Sequence, residues 1–391
     1  MRKDKRRALL LLLLFVTLFA TGCWNRRELD RIAIVSAVAI DIGEDKKVKL
    51  TVQIIKAGAI KAAGEGGSAQ EKPVLLLTSS GDTVFEAVRN FVDKSGRKLF
   101  WSHTMLIVLG EKMAREGILP VLDWFIRDHE MFLLTWVVVA KGEGGEVLKG
   151  DPGLEKIQAS HLDRMIKDYG ALSKSVAVNL LDVSNMVACE ATHPVIGMLS
   201  KKESGEENKK GVYSLRGAGV FRKDKLIGWL NPAETRGYLW IRGRAKSGII
   251  TITSPEQKDK LISLEVIKAE SKIKPQLEDG KIKYTLEVSV ESNLGEQMSQ
   301  EELANPEMFS VLEEEQRKAV EKEISATISK AQEEFKVNIL GLGAATMRKL
   351  PTEWKKLKEH WEEEFPQAEV QVKVDSKLRH TGMLRSLKMQ K

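Results

Sequence analysis

Cysteine is nearly absent: the 391 residues include only Cys23 and Cys189. Two thiols cannot supply the disulfide framework of a small secreted domain or a Cys-rich zinc site. Histidine is scarce too, and His103, His129, His161, His193, His360 and His380 show no paired spacing and no H-E-x-x-H segment. The G-x-S-x-G nucleophile elbow is missing. Ser102 and His103 stand together beside Trp101, but neighbours on a strand face opposite ways. Asp128-His129-Glu130 is the densest polar triplet, and it ends a predicted helix, where charge is usually solvated. Gly341-Leu342-Gly343-Ala344-Ala345-Thr346 looks like a phosphate loop only superficially. Thr346 occupies the third glycine position and no P-loop lysine follows, so glycines turning the chain are the plainer reading. In a chain that is 30% charged, no carboxylate pair stands out for acid–base work. The residues therefore nominate no catalytic, cofactor-binding or metal site, and the chain reads as a non-enzyme.

A long apolar run is also lacking. Ala8 to Ala20 is apolar apart from Thr17, and as a helix it would reach only about 20 Å. A hydrocarbon core is about 30 Å thick. Arg2, Lys3, Lys5, Arg6 and Arg7 precede the run, and Ala20-Thr21-Gly22-Cys23 follows it. This is the pattern of a lipoprotein signal peptide, in which residues 1–22 are removed and Cys23 becomes an acylated N-terminus. Two long acyl chains anchor stably where one is marginal. Ala20 departs from the leucine usual three residues before such a cysteine. Secretory cleavage leaving a free thiol and an uncleaved anchor stand as alternatives, the latter disfavoured by the short run and by the polar Asn25-Arg26-Arg27-Glu28.

The net charge of +7 is partly an export signal: residues 1–22 carry five positives and one negative, so +3 remains without them. A nucleic-acid partner loses its main support. Cys189 then has no intrachain partner and reads as a small buried apolar residue. The mature length suits two or three domains.

Ile32–Ile42 is a nearly continuous apolar stretch rich in β-branched residues, and Val48, Leu50, Val52 and Ile54 alternate with polar residues, predicting paired strands. Residues 57–73 read as an exposed loop. Strand signals at Val74–Thr78, Thr104–Leu109 and Trp136–Ala140 alternate with helical ones at Val84–Val92, Gly117–Arg127 and Leu154–Asp168. Lys201–Gly211 is the most polar stretch, a surface loop or a domain-edge linker. Strands follow at Val212–Arg222 and Leu226–Leu230. Leu261–Ile273 and Lys281–Val290 flank Asp279-Gly280, a hairpin signal. Asn305-Pro306 then starts a helix running to about Phe335, with Phe309, Leu312, Val320, Ile324, Ile328, Ala331 and Phe335 on one stripe. Outward pairs are expected from Glu313 to Arg317 and from Glu314 to Lys318. A helix carrying Trp354, Leu357, Trp361 and Phe365 and a strand through Val370, Val372 and Val374 close the chain. The fold class is α+β and multi-domain, with mixed sheets, packed helices and a C-terminal antiparallel sheet covered by a long helix. The divisions are a leader at 1–22, an N-terminal α+β part at 23–200, a polar loop and small middle domain at 201–245, and a C-terminal domain at 246–391.

Gly22-Cys23-Trp24-Asn25-Arg26-Arg27-Glu28-Leu29 and the strand after it resemble the start of the Ger(x)C spore-germination lipoproteins. So do, in order, Phe100-Trp101-Ser102-His103, Glu116-Gly117-Ile118, Gly219 to Gly228, Glu234-Thr235-Arg236-Gly237, Lys330-Ala331-Gln332 and Ile339 to Gly343. Leu340 and Leu342 depart from the phenylalanines frequent in that family. The resemblance implies a three-domain α+β, non-enzymatic C component of a germinant receptor, on the outer face of the inner spore membrane. Its implied partners are two integral-membrane subunits and the bilayer, with a small-molecule germinant reached indirectly. Only Cys23, as lipid attachment point, carries over as a site. The competing reading is an envelope solute-binding lipoprotein, which would need a pocket where aromatic and charged groups converge. A third is an envelope hydrolase.

Overall fold

The computed structural model describes residues 28–56, 72–202, 211–303 and 305–380, with residues 6–8, 15 and 58 besides. Strand β1 (Ile32–Ile42) is the centre of the larger of two sheets. It pairs antiparallel with β2 (Val48–Ile55), which pairs with β3 (Val74–Gly81). On its other edge β1 runs parallel to β4 (Lys98–Phe100) and β5 (Leu106–Gly110). Beyond β5 come β6 (Trp136–Ala140), with the short β7 (Val178–Asn179) on its edge, then β8 (Val195–Lys201), β9 (Tyr213–Arg222) and β10 (Lys225–Leu230). The parallel centre is buried on both faces, which is why these strands are predominantly apolar in sequence. Val38, Ile40, Ile107, Leu109, Val137 and Val139 face one core, and Ala37, Ala39, Leu106, Val108, Val138 and Ala140 face another.

The first core is closed by α1 (Val84–Arg89), α2 (Phe91–Ser95), α3 (Glu111–Glu116), α4 (Leu119–Arg127) and α7 (Leu180–Ala188). The second is closed by α5 (Gly144–Leu148) and α6 (Gln158–Lys167). The helix expected through Val84–Val92 is interrupted at Asn90, whose amide donates to the Ser80 carbonyl. The helix expected from Gly117 begins at Leu119 with Pro120 in its first turn, and that expected from Leu154 begins at Gln158. β8 and β9 pair with each other, so the polar stretch joins neighbouring strands of one sheet; residues 203–210 within it lie outside the described residues, as do 59–71 of the exposed loop.

The second sheet takes β11 (Gly248–Thr253), β12 (Leu261–Glu278), β13 (Lys281–Gln297) and β14 (Val370–Leu378). Asp279 and Gly280 turn β12 into β13, both at positive φ. Tyr284, Leu286, Val288 and Val290 are buried, while Lys281 and Lys283 of the other face are exposed. The covering element is α9 (Pro306–Ser329), capped by the Asn305 side chain accepting from Met308 N–H and continued by a π-helical turn at Lys330–Phe335. α10 (Leu342–Lys349), α11 (Pro351–Leu357) and α12 (Trp361–Glu364) follow. One expectation needs correction: β14 lies parallel to β13, so the sheet is antiparallel only through its first three strands. The helical crossover returns the chain to the end of the sheet where β13 began, and a crossover delivers a parallel strand. The Glu313–Arg317 pair also fails to form. Glu313 accepts from Leu378 N–H of β14, and Arg317 pairs with Glu314 and Glu321 instead.

Near the end of β1, Asp41 is buried and accepts from the N–H groups of Gly144 and Gly145, each at 2.8 Å. Burial pushes its carboxyl pKa up, and the two N–H donors pull it back. Asp41→Ala would strand both donors, so it should lower the free energy of unfolding by roughly 2–4 kcal/mol. Urea denaturation checks this; a loss under about 1 kcal/mol would show that the donors find other partners.

Candidate functional site: the junction between the sheets

Helix α8 (Pro232–Ile241) follows β10 and carries the Glu234-Thr235-Arg236-Gly237 segment. Its start is fixed by a capping box between Asn231 and Glu234, with Pro232 in the first turn. α8 lies along α9, and Gly237 makes that approach possible: a β-carbon there would stand 2.1 Å from Thr327 Oγ1 and 2.3 Å from the Glu323 carbonyl. Arg236, nine-tenths buried, grips Glu323 in bidentate fashion, with Nε at 2.8 Å from Oε2 and a second bond from a terminal nitrogen to Oε1. Its remaining terminal nitrogen donates to the Ile249 carbonyl of β11 at 2.8 Å. Trp240 Nε1 donates to Glu323 Oε2 at 2.9 Å. Thr327 Oγ1 bonds the Glu234 carbonyl, and Lys330 Nζ reaches the Glu234 carboxylate at 3.1 Å.

A second set of bonds ties the end of α9 to the large sheet. Phe335 packs on Gly228, where a β-carbon would fall 2.4 Å from its ring. Arg222 of β9 donates to the Phe335 carbonyl at 2.9 Å. The buried Asn338 donates to the Ala191 carbonyl at 2.8 Å and accepts from Gly341 N–H. The Gly341 N–H is therefore already committed, and Gly343 lies against Trp354 and Trp361. That glycine run is a packed turn. His193 donates its backbone N–H to Asn338 and accepts on Nδ1 from Lys223 N–H at 3.0 Å. Asp224, next along, accepts from Ile118 and Leu119 N–H groups. Five stretches far apart in the chain thus meet here: 116–118, 219–228, 234–237, 330–332 and 339–343. Periodicity alone could not have found Glu323 or Asn338, since their partners are remote in sequence.

The other nominated residues are less connected. Cys23 lies outside the described residues. Cys189 is a free thiol, half-buried against the first core. Among the described residues no His, Cys, Asp or Glu group is arranged to hold a metal, and no helix is long and apolar enough to cross a membrane. Ser102 and His103 form a turn, and Glu130 is buried with Lys98 on one oxygen. A cleft of about 490 Å³ between Val74–Leu76 and Leu148–Gln158 is rimmed by Lys72, Lys149 and Lys156 and, among the described residues, lined by no aromatic side chain.

Two family profiles match this chain. "Spore germination protein N-terminal domain" covers residues 25–201, and "Spore germination B3/GerAC like, C-terminal" covers residues 216–382. Spore germination protein KC of Bacillus subtilis (strain 168) is 31% identical over 394 residues, spanning 96% of each chain. The chain belongs to the GerAC-like spore germination family. Spore germination protein B3 of the same organism is 26% identical, over 94% of this chain and 96% of its own. The fold matches the crystal structure of the GerBC protein at a TM-score of 0.55 and 23% identity, covering 87% of this chain and 96% of that one. The GerAC-like residues gathered at the junction are structural: they hold α8, α9 and the β9–β10 turn in one arrangement.

Two measurements test that assignment. Arg236→Met or Glu323→Leu alone leaves a buried charge unpaired and should cost about 3–5 kcal/mol. The double variant should lose less than the two singles together, by about 1–3 kcal/mol; simple additivity in the cycle would refute the coupling. His193 responds to pH. Burial lowers its pKa below 6.5, as do Arg222 and Lys223, against Glu362. A depressed imidazole pKa gives stability that is full above the unfolded value and is lost as pH falls through the folded one. The thermal midpoint should therefore drop as the solution is acidified from pH about 7.5 to about 5, and His193→Asn should flatten the drop. The difference between the two profiles isolates His193 from Asp41, whose raised pKa acts in the opposite sense.

Proposed function

We propose that this protein is the lipid-anchored C component of a spore germinant receptor, held at Cys23 on the outer face of the inner spore membrane. In this reading it works through contacts with two integral-membrane subunits and performs no catalysis, and nutrient reaches it indirectly. The observation that carries the reading is the match to spore germination protein KC over 96% of each chain. The Arg-Lys-rich start, the short apolar run and Gly22-Cys23 supply the means of attachment. The junction supports a protein built to present fixed surfaces, because its buried polar groups are spent on one another. Among the described residues, no aromatic side chain lines the lysine-rimmed cleft, where a solute-binding lipoprotein would gather aromatic and charged groups.

Cys23→Ala should leave the chain uncleaved or released from the membrane, and germination through its receptor should slow. Membrane fractionation, germination assays and the mass of the wild-type N-terminus check this. An unmodified Cys23 thiol in the wild-type protein would defeat the anchor.

A further inference from the structure

Large apolar side chains stand exposed in succession at one place: Phe132 is 60% exposed, Leu133 38% and Leu134 53%. Leu181, 41% exposed, is drawn beside them by its N–H bond to the Leu133 carbonyl at 3.0 Å. The turn is held rigidly. Met131 and Thr135 on either side are buried, Thr135 N–H bonds the Phe132 carbonyl, and Thr135 Oγ1 bonds the Thr104 carbonyl at 2.9 Å. Two carbonyls of the exposed turn, those of Phe132 and Leu133, are therefore satisfied internally.

The register of the strands gives this turn its position. β1 begins at Ile32, which pairs with Lys98, and Lys98 Nζ bonds Glu130 Oε1 at 3.0 Å. The apolar turn therefore lies at the end of the large sheet where the chain leads into β1. Cys23 precedes Glu28 by five residues, which extend at most about 18 Å. The opposite end of β1 is about 35 Å away and carries the exposed Glu44, Asp45, Lys46 and Lys47. Charge is mixed at the near end, where Arg127 pairs with Asp123 and Lys98 with Glu130, so attraction to anionic lipid does not define this surface. Its apolar side chains do.

We infer that Phe132-Leu133-Leu134, with Leu181, inserts into the outer leaflet beside the anchored N-terminus and sets the orientation of the protein on the bilayer. The inference rests on the reading of Cys23 as the lipid-bearing residue. An acyl anchor alone leaves a folded domain free to swing, and a second apolar contact a short distance away fixes its tilt.

The test replaces the native anchor, so that the two ideas fail separately. Both cores are built from residues from Ile32 onward, and a chain starting at Trp24 keeps them whole. With a polyhistidine tag before Trp24, this chain is tethered to vesicles of phosphatidylglycerol and phosphatidylethanolamine containing a nickel-chelating lipid. In a Cys189→Ala background, Leu133→Cys or Glu44→Cys carries a bimane label. Brominated acyl chains should quench the label at position 133 several-fold more than that at 44, and adding Phe132→Ser with Leu134→Ser should abolish the difference. Equal quenching at both positions would overturn the proposal. So would a label at 133 that stays in water on vesicles and is shielded only when membrane subunits of the receptor are added, which would make the turn a protein-docking face. The mass of the native N-terminus judges the anchor independently.

Discussion

A guanidinium and a carboxylate removed from water attract each other strongly, yet their desolvation outweighs the attraction unless every remaining donor and acceptor is also satisfied. Arg236 and Glu323 meet that condition. Both Glu323 oxygens are bonded, one of them also by Trp240, and the third direction of Arg236 is taken by the Ile249 carbonyl. One side chain thus touches α8, α9 and β11 together. Apolar packing alone would tolerate sliding of α8 along α9; a bidentate pair beside a glycine contact allows one register. The pair contributes specificity of docking more than strength, and the position of the second sheet against the first follows from it.

The same logic recurs inside the second sheet. Gln316 stands on the apolar stripe of α9, where a polar amide looks out of place. Its amide donates to Ser292 Oγ at 2.5 Å and accepts from Ser376 Oγ at 3.0 Å, joining β13, α9 and β14. A slip of either strand by one residue would reverse its faces and leave one end of the buried Gln316 amide unpaired. Glu313 adds a bond from the same helix to Leu378 of β14. The parallel strand that closes the sheet is therefore held by side chains of the helix that crosses over it.

What the sequence disclosed depended on the range of the interaction. β13 was legible because alternation is a period of two along one strand, and the start of α9 because Asn305 and Pro306 act within a turn. The expected strand Leu261–Ile273 continues through Pro275 to Glu278. Beyond Val266 no β11 residue pairs with β12, so Pro275 sits on an edge where its missing N–H is harmless. The direction of β14 was illegible because alternation is the same read either way. Arg236 was visible as part of a family pattern, but its partner lies 87 residues on. The family pattern picked out positions whose chemistry only the assembled chain explains.

One helix connects the junction to the end of the sheet where the N-terminus emerges. The first turn of α4 is held at the β9–β10 turn, through Leu119 N–H to Asp224, and its last residue, Arg127, leads directly into the apolar turn. Between them Val121, Leu122 and Phe125 are buried, and Phe125 and Trp124 contact Trp101. A short helix packed in this way moves as a unit, because tilting it would open voids along a filled core. At the other end of this packed helix, Asp224 is one residue from Lys223 and its bond to His193. A continuous run of packed and hydrogen-bonded residues thus links the apolar turn to the bonds that set the two sheets.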